Sequence, residues 1–275
     1  MEYLMNLPIA LTGSVIIGLS ILGSLLSLTF FHRYVDNEAL RKNHDVAGFI
    51  YAVITVAYAV ILAFVVIVVW ENFHDAEKIC QEEANAIGDV RRLAREFPDS
   101  VFTQVDVATL QYTRGIMTTE WATMARGEED LRVRGEMIKL WKVFGRYHPT
   151  DWHQQQYFGE CIQKMEELLD KRRLRLLESR SSLPPIMWVL LLGGGFLSVA
   201  FSFLFASPVK WVQLVMTSAL AGMFTLVLFL IFALDHPFAG DVRVQPDAFR
   251  YMIEHAAQES HETALRDSTT AQLHR

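Results

Sequence analysis

Tyr51-Ala-Val-Ile-Thr-Val-Ala-Tyr-Ala-Val-Ile-Leu-Ala-Phe-Val-Val-Ile-Val-Val-Trp70 carries no charged residue. It runs directly into Glu71-Asn-Phe-His-Asp-Ala-Glu-Lys-Ile-Cys80, which is charged and amphipathic. About 20 apolar residues rising roughly 1.5 Å each span the hydrocarbon core of a bilayer. Between Tyr51 and Pro98 there is no other proline, and Gly88 is the only glycine. The pattern predicts one long helix, from Tyr51 to Phe97, that crosses a membrane and projects into water on one side.

Three further apolar stretches are placed around it. Pro8 to Phe31 is too long for a signal-peptide core, and no Lys or Arg precedes it, so a cleaved signal is not expected. Small residues recur four apart there (Ser14 and Gly18, Ser20 and Ser24, Gly23 and Ser27), a spacing that lets helices approach closely in lipid or reflects ordinary small-residue content. His32 to Asp45 reads as a polar connection. Pro184 to Ala206 is a third span, opened by Pro184-Pro185 and loosened by Gly193-Gly194-Gly195. Ser207 to Lys210 is a tight turn, and Trp211 to Leu234 is a fourth span. Asp235-His236-Pro237 stops it, because the residue before a proline avoids the helical region. Trp70, Trp188 and Trp211 lie at span ends, where indole favours the headgroup level.

The expected class is therefore an all-α membrane protein of four transmembrane helices, with a helical domain inserted between spans two and three. Residues 1–70 hold spans one and two, 71–183 the inserted domain, 184–234 spans three and four, and 235–275 a C-terminal segment. Its tail begins as a helix near Ala248 and ends in about ten polar, disordered residues. The chain is 52% hydrophobic yet 20% charged, with a formal charge of −6, and the two properties are segregated along it. Dispersed basic residues exclude a nucleic-acid groove. Lys78, Lys171, Arg172, Arg173, Arg175, Arg180, Arg243 and Arg250 flank the spans on the side of the insert, against Arg33, Arg41, Lys42 and Lys210 on the other. That excess places the insert and both termini in the cytoplasm of a multi-pass inner-membrane protein.

The insert reads as helices. Phe73, Ala76, Cys80, Ala84, Ile87, Val90, Ala94 and Phe97 step by three or four and form one apolar stripe. Pro98 breaks it, and Asp99 or Ser100 is placed to cap the next helix. Val101, Val105, Ala108, Tyr112, Ile116 and Thr119 form a second stripe, ending near Gly127. Leu131 to Phe144 is a shorter helix, and Asp151 to Ser179 another, with Tyr157, Cys161, Met165, Leu168 and Leu169 inward. Such stripes need partners, so a bundle is expected.

None of the four spans contains Asp, Glu, Lys, Arg or His. Buried ionisable groups mark proton relays, coupled transport and intramembrane hydrolysis. An apolar path can still conduct, gating by dewetting. In the insert, His74, Asp75 and Glu77 share one turn, and His148 and His153 lie near Asp151, but neither set has zinc spacing. These groups, with Glu82-Glu83 and Glu166-Glu167, are expected on solvated faces. Cys80 sits in an apolar stripe as a small core residue. No nucleophile has a plausible base, so no enzyme is expected.

Two stretches carry a resemblance. Ala63-Phe-Val-Val-Ile-Val-Val-Trp70-Glu71 resembles the second membrane helix of bestrophins. Asp235-His-Pro-Phe-Ala-Gly-Asp241, with Val244 to Phe249 after it, resembles the segment following their last span. The layout from about Tyr51 to Phe249 is closer to a bacterial bestrophin-like family. The resemblance implies a homo-oligomer, pentameric in bestrophins, that sits in membrane lipid and conducts inorganic anions, with a neck formed here by Val56, Val60 and Phe64. It also implies a post-span turn or calcium clasp at Asp235, Pro237, Phe238, Gly240, Asp241 and Asp247. Here the acidic residues are spread out, and calcium wants six to eight oxygens, so a structural turn is expected there rather than a calcium site. The alternative to a channel is a non-conducting scaffold or sensor whose bundle binds a partner or ligand.

Overall fold

The computed structural model describes residues 9–35, 44–205 and 209–259. The connection at 36–43, the turn at 206–208 and the tail beyond 259 lie outside the described residues. Four helices are long and apolar enough to cross a bilayer. They are α1 (Ile9–Tyr34), α2 (His44–Leu93), α7 (Pro185–Ser202) and α8 (Lys210–Leu234). Helix α2 starts seven residues before Tyr51, so part of the expected polar connection is helical. It is continued by a 3-10 turn at Ala94–Glu96.

The chain divides into two compact units. The first comprises Met1–Phe73, Ser182–His236 and Gly240–Val242. In it α1 packs along α8, and α8 along α7. Tyr58, Leu62, Val65 and Val69 of α2 form a core with Leu191, Phe224, Ile231 and Leu234. The Tyr58 hydroxyl donates to the Leu191 carbonyl at 2.6 Å, and its ring meets Phe224 edge-on at 5.0 Å. A side chain on Gly194 would lie 2.5 Å from the Tyr58 ring, so glycine is what permits this approach. The small residues of α1 act unevenly. Gly13 faces Phe229, and Ser20 accepts from Thr225 at 2.6 Å, whereas a Cβ at Gly18 or Gly23 would meet no other side chain or helix within 4 Å among the described residues.

The second unit comprises His74–Ser181, Pro237–Ala239 and Arg243–Arg275. It holds the rest of α2, α3 (Asp99–Gly115), a π-helical turn at Ile116–Glu120, α4 (Trp121–Met124), α5 (Leu131–Arg146), α6 (Trp152–Glu178) and a helix over residues 247–259. The expected stripes are inward: Ala76, Cys80, Ala84, Ile87, Val90, Ala94 and Phe97 are all buried. Val105, Ala108 and Tyr112 of α3, Ile116 of the π-helical turn, and Cys161, Met165 and Leu168 of α6 are buried as well. Asp130 and Asp151 cap α5 and α6, each accepting a backbone N–H at 2.8 Å. The start of α3 differs from expectation. Pro98 occupies the capping position without a side-chain bond, and Asp99 lies inside the helix. An acidic residue there still suits the positive helix end.

Candidate functional site

At about 100° per residue, Val53, Val56, Val60, Phe64 and Ile67 fall within one arc of α2. All five are exposed; Val56, Val60 and Phe64 are 64%, 49% and 67% accessible. Tyr58, Leu62, Val65 and Val69 lie on the opposite side and are buried. The three neck candidates are thus turned away from the helices of their own unit. A continuous apolar face of this kind is suited to lipid or to other copies of the same helix.

The residues after α8 do different jobs. The Asp235 carboxylate is buried and accepts the Leu183 N–H at 2.7 Å, with the His236 ring 3.5 Å from its other oxygen. It ties the end of α8 to the chain entering α7. Asp235→Ala should cost about 1–2 kcal/mol and Asp235→Asn less, because an acceptor remains; thermal denaturation in detergent measures both. Pro237 accepts the Val244 N–H at 2.8 Å, and Gly240 has φ 78°, a conformation that favours glycine. Phe238 is buried against Trp121 with centroids 5.5 Å apart, and the Trp121 indole N–H donates to the Val244 carbonyl at 3.2 Å. Asp247 pairs with Arg250 on the surface at 3.1 Å. Among the described residues no three His, Cys, Asp or Glu side chains converge to hold a metal ion.

The solvated-face expectation fails at Glu83, which is fully buried. Arg175 lies across it, donating from Nε at 2.6 Å and from Nη2 at 3.1 Å, and Tyr112 donates its hydroxyl at 2.6 Å. Arg175 Nη2 also donates to Glu120 at 2.8 Å. The other Glu120 oxygen accepts from Arg172, which reaches Glu129 at 3.0 Å. The Arg175 guanidinium also lies 5.8 Å from the Trp121 ring and 5.7 Å from Phe249.

Two guanidiniums and two buried carboxylates balance at this centre. Burial pushes Arg175 toward deprotonation, but Glu83 and Glu120 outweigh it and hold the group well above its ordinary range. Burial raises the Glu120 carboxyl, opposed by Arg175 and Arg172. Burial and the neighbouring Glu83 raise the Tyr112 phenol well above its ordinary value, so it remains a donor. Cys161 is pushed up to about 12 by burial and carries no thiolate. The cluster joins α2, α3, the π-helical turn and α6 without offering a nucleophile or an open position. His74 and Glu77 do lie on an exposed face, 3.6 Å apart.

Sequence reading missed this cluster, although its signal is present. Glu83 sits three residues after Cys80 and four before Ile87, inside the apolar stripe. Glu120 follows Ile116 by four, and Arg172 and Arg175 continue Cys161, Met165 and Leu168. Charged residues at inward positions from three segments require one another.

A family described as Bestrophin-like domain matches residues 18–249. Two mutant structures of a bacterial bestrophin homologue from Klebsiella pneumoniae superpose with TM-score 0.64 at 13% identity. They cover 87% and 88% of this chain and 97% and 96% of theirs. A structure described as a membrane protein matches with the same score and identity, over 89% of this chain and 96% of its own. Among curated proteins none matches.

Proposed function

This chain belongs to the bestrophin-like family, and from that membership we propose that it is a homo-oligomeric ion channel with α2 lining the axis. The observation that carries the reading is the exposed arc of Val56, Val60 and Phe64, opposite the buried face of the same helix. In an assembly with this arc inward, copies of the three side chains form an apolar neck. Such a constriction gates by wetting and dewetting, with no titratable group required. The resemblance to bestrophins makes inorganic anions the expected permeant species and a pentamer the expected assembly. The excess of Lys and Arg near the span ends on the insert's side supports a cytoplasmic insert and termini in this reading. The segment from Asp235 to Asp247 serves as a structural turn in this reading, and no calcium is required.

Phe64 is the bulkiest of the three, so Phe64→Ala should widen and wet the neck. Purified protein in planar bilayers should conduct, and the variant should show several-fold larger unitary conductance or open probability. A wild type silent at both polarities and with several anions contradicts the proposal. So does an unchanged current in the variant.

A further inference from the structure

The uncharged face of α2 ends on a carboxylate, Glu71, with a second, Asp75, one turn further on. Glu71 is the first ionisable residue after the apolar run and lies one turn beyond Ile67. Eighteen residues, about five turns, separate it from Val53, so it falls within the arc of Val56, Val60 and Phe64. Its side chain is exposed, and among the described residues it has no ion pair. Trp70 beside it is 62% exposed, as suits an indole at the membrane surface. Water therefore begins where this carboxylate stands.

We propose that Glu71 sets the charge preference of the conduction path. One carboxylate from each copy forms a ring at the mouth of the apolar neck, holding cations there and opposing anions. This rests on the channel reading above but departs from its expected permeant ion: a carboxylate ring favours cations over the anions that the resemblance implies. Rings of charged side chains select ions by sign, so the other ionisable groups on the same arc must be weighed. Asp75, one turn and about 6 Å beyond Glu71, is exposed and adds a charge of the same sign; Glu82 is neutralised by Lys171 at 2.7 Å, and the His74 ring faces Glu77 at 3.6 Å. Lys78 has the opposing sign, but it lies seven residues further along the helix, about 10 Å. That exceeds the screening length of about 8 Å at physiological salt. The carboxylate nearest the neck therefore outweighs it.

The test is the reversal potential of the full-length protein in planar bilayers under a potassium chloride gradient, for the wild type, Glu71→Gln, Glu71→Lys and Lys78→Gln. All three substitutions are at exposed positions, and elution as a single species confirms folding. The chloride-to-potassium permeability ratio should rise at least about fivefold in Glu71→Gln, since one charge at contact distance in water changes the occupancy of a single monovalent ion by that factor. It should rise further in Glu71→Lys and change little in Lys78→Gln. A conducting wild type whose ratio is unmoved by either Glu71 substitution overturns this inference and leaves the channel standing. So does a larger shift from Lys78→Gln. A wild type that carries no current overturns both.

Discussion

Arg175→Met is expected to destabilise the second unit by about 3–5 kcal/mol, the cost of leaving buried charge without its partner. The side chains of Arg175, Glu83 and Glu120 are all at 0% exposure, so solvent cannot take the place of the guanidinium. Methionine fills much of the volume and leaves two carboxylates facing each other. The contrast is Arg173→Met on the same helix. Arg173 is 79% exposed and, among the described residues, paired only with Asp170 at 3.2 Å, so its removal should change stability by well under ~1 kcal/mol. Thermal denaturation in detergent compares the two. Thiol alkylation gives a local readout, because Cys161 is fully buried and reacts only when the bundle opens. Equal melting of the two variants contradicts the assigned role.

Gly194→Leu should be the most damaging single change in the first unit. Even its Cβ would lie 2.5 Å from the Tyr58 ring, which is held by the bond to Leu191 and by Phe224. Overpacking of this kind costs about 1–3 kcal/mol or more. Gly193 gives the control, since a Cβ there meets nothing within 4 Å. Gly193→Ala should be neutral or stabilising, up to about 1 kcal/mol, through helix propensity. Tyr58→Leu combined with Gly194→Ala should recover part of what Gly194→Ala alone loses. Thermal melting of the four proteins decides the matter; equal effects at Gly193 and Gly194 contradict the close approach.

The spans were legible because apolar runs of sufficient length have no other use in so charged a chain. The bundle helices were legible because their stripes repeat at helical spacing. The beginning of α2 was not, since His44 and Asp45 are polar and carry no hydrophobic signal. The buried ionic cluster was missed for a different reason. Glu83 is adjacent to Glu82, and the pair looks solvated unless each residue is assigned to its own face. The proposed pore face of α2 could not be found by periodicity, because a helix apolar all round has no distinguishable side. Exposure supplies part of the answer: it shows which arc lacks intrachain neighbours.

The central claim is that this arc faces other copies of itself around a water-accessible axis. Imaging of the detergent-solubilised full-length particle by electron cryomicroscopy tests it most directly. The account predicts a symmetric oligomer with an axial hole, narrowest where Val56, Val60 and Phe64 of every copy point inward. A single subunit, or an assembly in which these residues face the detergent belt, contradicts it.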